Sequence, residues 1–221
     1  MPVPKEILTI FESINGYTLE VKGAPGVGKT IFALTLLKEI YEKEKRDAIY
    51  LSTRIDPELL YVQFPWIKDS IPQNSIIDAT QSEYSLKMEV AEQIRYSDLA
   101  EFFRAVYERA VRANTLVLII DSWDAVIFQI GKDNKEKLEN SMMDLARKTK
   151  TNLVLVTELA REDPLDYLVD GIIRLEKIEK DGGWIRKIYM DKMRGMALEK
   201  TSYPFTLDGG IFTYFPPHES V

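Results

Sequence analysis

Gly23, Ala24, Pro25, Gly26, Val27, Gly28, Lys29 and Thr30 form a complete G-x-x-x-x-G-K-T loop, set between an apolar run and an amphipathic helical pattern. Upstream, Tyr17 to Val21 alternates as a strand does; downstream, Ile31, Leu34, Leu36, Leu37 and Ile40 make a wide apolar helical stripe. Strand, glycine loop and helix therefore follow in the order a phosphate-binding loop needs. Gly23, Gly26 and Gly28 permit positive φ or close backbone approach, so successive amides can turn inward around β- and γ-phosphates. Lys29 adds a positive charge there, Thr30 offers a hydroxyl to Mg²⁺, and the helix start directs its positive dipole end at the anion. Residues Gly23 to Ile31 are thus expected to hold a nucleoside triphosphate.

The 221 residues suit one large domain, taken here as 1–221, able to bury about 70% of its unfolded surface. Cysteine is absent, which excludes disulfides, thiolate metal sites and cysteine catalysis. The single histidine, His218, lies beside Pro216 and Pro217 in a stretch expected to fray, which argues against zinc sites and histidine acid-base chemistry. A net charge of −6 does not support a nucleic-acid surface, although a local basic loop remains open. The longest apolar run, Leu116 to Ile120, is too short to span a bilayer, and the first residues carry Lys5, Glu6 and Glu12 rather than a signal-peptide core. The expectation is a soluble, cytoplasmic protein.

Further along, strands are expected at 48–52 and 75–79, a helix near 98–112, and a continuous apolar strand from Thr115 to Asp121. A helix near 135–148 leads to a strand at 152–157; turns at Asp181 to Gly183 and Asp208 to Gly210 then punctuate further strands. Alternating strands and helices predict an α/β fold with a mostly parallel central sheet flanked by helices, closed at one side by C-terminal antiparallel hairpins. In such sheets ligands bind at the carboxyl ends of the strands.

Several chemistry-bearing residues fall at those ends. Asp121 closes an apolar strand, as the Mg²⁺-holding acid of a Walker B strand does. Asp124 either reaches the metal shell or, in the preferred reading, caps the following turn. Thr157 and Glu158 end the next strand and are expected to face the nucleotide, with Glu158 sensing the γ-phosphate or positioning water. Strand periodicity puts Lys192 and Arg194 on one face, suited to a transferring γ-phosphoryl group, though a solvated edge pair is the plainer reading of spacing alone.

Gly23 to Thr30, Ile119 to Ser122, Val156 to Glu158, and the Lys-Met-Arg-Gly run from Lys192 to Gly195 together resemble the RecA superfamily, specifically its KaiC-like branch, over about residues 10 to 212. The resemblance implies a RecA-like ATPase using ATP and Mg²⁺, assembled as a homo-oligomeric ring or filament. Lys192 and Arg194 would then act on a neighbour's nucleotide, so that assembly and hydrolysis are linked. Relatives usually carry one or two glutamates after the second strand to activate water. Here Arg54 and Ile55 stand in their place, and arginine cannot act as a base. Asp56 is the nearest carboxylate, a candidate base or simply the cap of the helix that Pro57 starts.

Slow ATP hydrolysis with nucleotide-controlled assembly or partner regulation is the leading expectation. A hydrolysis-deficient ATP-binding regulator and a DNA repair accessory are the alternatives. The last would use a loop from Ser122 to Lys137 that carries Lys132, Lys135 and Lys137. GTP is disfavoured because Asn134, Lys135 and Glu136 are followed by Lys137 rather than the aspartate of a guanine-reading motif.

Overall fold

The computed structural model describes residues 2–44, 47–80, 94, 96–112, 117–158, 163–180, 182–198 and 200–215. His218, Asp181 and the strand positions Thr115 and Leu116 lie outside them. The chain begins with α1 (Lys5–Ser13), β1 (Thr18–Gly23), α2 (Lys29–Glu44) and β2 (Ala48–Ser52). Then come α3 (Pro57–Gln63), α4 (Ile67–Ser70), β3 (Ile76–Asp78), α5 (Leu99–Arg112) and β4 (Val117–Asp121). The second half runs α6 (Trp123–Ile130), α7 (Lys135–Thr149), β5 (Asn152–Glu158), α8 (Leu165–Leu168), β6 (Gly171–Lys180), β7 (Gly183–Met193), β8 (Ser202–Thr206) and β9 (Thr213–Tyr214).

Among the described residues the strands form one sheet in the order β3-β2-β4-β5-β1-β6-β7-β8-β9. The pairings from β3 through β6 are parallel. The β6-β7, β7-β8 and β8-β9 pairings are antiparallel, as the late turn signals predict. Both faces of the sheet are covered, which is why β4 reads as an unbroken apolar run. Val117 and Ile119 pack with Phe32, Leu34 and Leu37 of α2. Leu118 and Ile120 pack on the other face with Phe102 and Val106 of α5 and Met142 and Leu145 of α7.

One local outcome departs from the sequence expectation. The segment from Ser122 to Lys137 is not a loop. Trp123, Val126 and Ile127 recur at helical spacing and are buried, so α6 forms, followed by a short 3-10 turn at Lys132–Asn134. In addition, β1 is buried on both faces along its whole length, so its alternate polar positions Thr18, Glu20 and Lys22 do not face solvent. Helix α1, unassigned in sequence, buries Ile7, Leu8, Ile10 and Phe11, a spacing that does carry a helical signal.

Candidate functional site

The loop after β1 turns under close restraint. Gly28 has φ 113°, and a Cβ there would meet Leu207 at 2.7 Å. A Cβ on Gly23 would stand 2.6 Å from the Leu175 carbonyl oxygen of the adjacent β6, so only glycine lets the two strands pair at this level. Lys29 Nζ folds back on the loop, donating to the carbonyls of Gly23 at 2.5 Å and Ala24 at 3.3 Å. Burial holds its pKa below the usual lysine value, against the opposing pull of Asp121, Glu158 and Asp124.

At the start of α2, Thr30 Oγ1 donates to Asp121 Oδ2 at 2.7 Å. The same oxygen accepts the Tyr50 hydroxyl, also at 2.7 Å, from β2. Tyr50 is fully buried, which with the adjacent Asp121 carboxylate pushes its pKa well above the ordinary tyrosine value, so it remains a donor. Burial raises the Asp121 pKa while these two hydroxyls oppose the rise. Sequence reasoning missed Tyr50, since an aromatic in an apolar strand gives no sign of where its hydroxyl ends.

These groups fit a Mg²⁺-triphosphate. An ammonium, a glycine loop at a helix start and a hydroxyl-carboxylate pair line one cleft of about 290 Å³, together with Arg54, Ile55 and Glu158. Among the described residues no cluster of three acids or histidines could hold a metal alone.

Strand periodicity sorts the remaining candidates. Tyr50, Asp121 and Glu158 share the face of the sheet covered by α2, whereas Thr157 points to the other face and donates to Glu20 Oε1 at 2.7 Å. The expectation that both residues ending β5 face the nucleotide is corrected for Thr157. Glu158 accepts a hydrogen bond from Arg54 at 2.8 Å, and this guanidinium holds its carboxyl below the usual range. The cap of α6 is Ser122, whose hydroxyl accepts from Ala125 N–H at 3.4 Å. Asp124 instead accepts the backbone N–H of Glu158 at 2.8 Å, so its expected capping role is corrected. Asp56 N-caps α3, accepting from Glu58 N–H at 2.8 Å.

Lys192 and Arg194 meet one segment, the end of α8 and the start of β6. Lys192 Nζ donates to the carbonyls of Asp166 at 2.8 Å and Val169 at 2.6 Å. Arg194 lies 3.5 Å from Asp170 Oδ1 and is half-exposed. Met193 pairs with Gly171, which is level with Leu19. Arg194 therefore sits near the amino end of the parallel strands, about four residues or 13 Å along β1 from the glycine loop. Of the loop lysines, Lys135 is engaged by Asp163 at 2.7 Å, while Lys132 and Lys137 are exposed. No helix among the described residues is long and apolar enough to cross a membrane.

A family model described as the P-loop domain of the GvpD gas vesicle protein matches residues 7–191. Protein GvpD2 of Halobacterium salinarum is 32% identical over 98% of this chain and 45% of its own length. Protein GvpD1 of the same organism is 31% identical over 98% of the chain and 41% of its own length. The chain thus spans less than half of either relative. The UPF0273 protein PH0284 of Pyrococcus horikoshii is 24% identical, covering 88% of this chain and 84% of that protein. Among solved structures, the KaiC-like protein PH0186 of Pyrococcus horikoshii superposes with a TM-score of 0.75 at 18% identity, over 91% of this chain and 90% of the other. The fold is therefore the KaiC-like form of the RecA architecture.

Proposed function

The chain belongs to the GvpD P-loop domain family, and from its RecA-like nucleotide-binding fold we propose that it binds ATP with Mg²⁺ and hydrolyses it slowly. The observation that carries this reading is the 2.7 Å contact between Thr30 and Asp121 beside the glycine loop and Lys29. Residues Gly23 to Ile31 wrap the phosphates, Lys29 exchanges its two carbonyl partners for phosphate oxygens, and Thr30 and Asp121 hold the cation. Mg²⁺ held there would supply positive charge to the phosphates. Glu158 lies beside the terminal phosphate position, where it orients water.

Self-association completes the site in this reading. Lys192 and Arg194 lie too far from their own glycine loop to serve it, which supports their action on the nucleotide of a second copy in a ring or filament. Residues 1–221 act as one domain in the cytoplasm, and nucleotide state governs assembly or a partner. The family's tie to gas vesicles makes a gas vesicle protein the first partner to test.

One observation favours a second reading, a regulator that binds ATP without turning it over. Arg54 and Ile55 line the cleft where a water-activating acid is expected, and Asp56 has an oxygen committed to capping α3. Nucleotide binding and single-turnover phosphate release, measured for the parent and for Lys29→Ala, Asp56→Ala and Arg194→Ala, separate the two. Lys29-dependent release with a defect in Asp56→Ala supports the ATPase with Asp56 as base; Lys29-dependent binding without release leaves the regulator. Binding unaffected by Lys29→Ala sinks both. Light scattering that finds only monomers with ATP and Mg²⁺ removes the trans role of Arg194.

A further inference from the structure

Arg54 sits on an anchored turn and ends in one exposed contact. Thr53 N–H donates to the Asp121 carbonyl at 2.8 Å, Thr53 Oγ1 donates to the Ser122 carbonyl at 2.7 Å, and Ser52 Oγ donates to the Ile55 carbonyl. The turn that carries Arg54 is thereby fixed to the end of β4, next to the Thr30–Asp121 pair. Its side chain, by contrast, is 55% exposed, and the guanidinium makes a single hydrogen bond among the described residues, to Glu158, whose side chain is 46% exposed. Most of its roughly five N–H donors are unused by that bond.

The Arg54–Glu158 pair also stands between two cavities. One is the phosphate cleft; the other, about 360 Å³, is lined by Thr80, Tyr96, Asp124 and Gln129, and both members of the pair line both. An exposed, single-contact ion pair is weakly held. A terminal phosphate offers a guanidinium two parallel acceptors and more negative charge than one carboxylate oxygen.

We propose that Arg54 reads the γ-phosphate in cis: with a triphosphate in the cleft its guanidinium leaves Glu158 for the terminal phosphate, and with a diphosphate it stays on Glu158. The inference rests on the proposed nucleotide site and adds a residue that distinguishes ATP from ADP within one chain. Glu158, once released, changes the wall of the second cavity, so that cavity reports nucleotide state.

The test compares binding of ADP and of a non-hydrolysable β,γ-imido ATP analogue, both with Mg²⁺, by calorimetry at concentrations where light scattering shows monomers. Arg54→Ala is expected to lose about tenfold or more in affinity for the triphosphate while ADP changes by less than about twofold. Glu158→Gln, which loosens the competing partner, is expected to strengthen triphosphate binding severalfold and leave ADP alone. Lys29-dependent binding with an unchanged triphosphate-to-diphosphate ratio in Arg54→Ala overturns this inference and leaves the proposed function standing. Absence of any Lys29-dependent binding in the parent overturns both.

Discussion

Lys22 and Lys29 flank the turn that ends β1, and their surroundings are opposite. Lys22 is 4% exposed and paired inside the fold, with Asp166 in direct contact and Glu20 at 3.8 Å. Lys29, among the described residues, bonds only to two carbonyls of its own loop. The first charge is neutralised by carboxylates that the fold itself supplies. The second sits at the carboxyl edge of the sheet, where Asp121, Glu158 and Asp124 act on it without a direct ion pair. A buried cation is tolerated where the chain pairs it, whereas a half-buried one without a direct ion pair, as at Lys29, is a candidate for binding an anion.

That contrast breaks if the two lysines respond alike to removal. Lys22→Met leaves Glu20 and Asp166 without their cation in a low-dielectric setting, and is expected to destabilise the fold by about 3 kcal/mol or more. Lys29→Met is expected to change stability by less than about 0.5 kcal/mol while abolishing Mg²⁺-ATP binding. Urea denaturation alongside nucleotide titration of both variants decides the matter. A stable, folded Lys22→Met protein would show that the cluster around β1 is not a structural one.

The carboxylate next to Lys22 sharpens the comparison through pH. Burial raises the Glu20 pKa to about 7; the Asp166 carboxylate adds to the rise, while the Thr157 hydroxyl and the Lys22 ammonium oppose it. Folded protein thus holds this proton more tightly than the unfolded chain, where a glutamate titrates near ~4.3. The stabilisation is complete below that unfolded value and is lost as pH rises through about 7. Between pH ~5.5 and ~8 the loss amounts to about 2 kcal/mol. In Glu20→Gln, an amide matching the protonated acid, the same pH interval is expected to show a nearly flat urea midpoint. A parent whose stability does not fall over this range would mean that Glu20 is ionised throughout.

The legible parts of this site are those encoded in one stretch of chain. The glycine loop, the acid that ends β4 and the turns between late strands follow from residues adjacent in sequence. So did the departure at Arg54, although its partner Glu158 is brought alongside only by the β2-β4-β5 order of the sheet. The alternation of Tyr17 to Val21 marks a strand but does not reveal that Glu20 and the adjoining Lys22 are buried, because alternation cannot tell water from a buried charge cluster. The two residues that end β5 were assigned together to the nucleotide, yet period two sends Thr157 to Glu20 and leaves Glu158 at the cleft. Helix α6 has a readable signal in the spacing of Trp123, Val126 and Ile127, although its polar neighbours also fit a basic loop. Tyr50 had none, since its hydroxyl matters only once β2 lies beside β4.

Tyr50 yields the smallest expected effect and joins the two regimes, being as buried as Lys22 yet bonded to Asp121, the acid proposed to hold the cation. Asp121 Oδ2 accepts from both Thr30 and Tyr50 at 2.7 Å, so one oxygen is oriented by two hydroxyls. Tyr50→Phe keeps the ring in the core and deletes only the donor. Because the acceptor keeps Thr30, the expected loss of stability is about 1 kcal/mol. Outer partners of a metal-holding carboxylate fix its direction, and their removal weakens metal binding about tenfold or more. The Mg²⁺ concentration needed for half-maximal ATP binding should therefore rise by about that factor, while ATP binding measured without Mg²⁺ stays as in the parent. If both measurements match the parent, Tyr50 packs against Asp121 without orienting it. If binding falls equally with and without Mg²⁺, the hydroxyl supports the loop as a whole rather than its cation site.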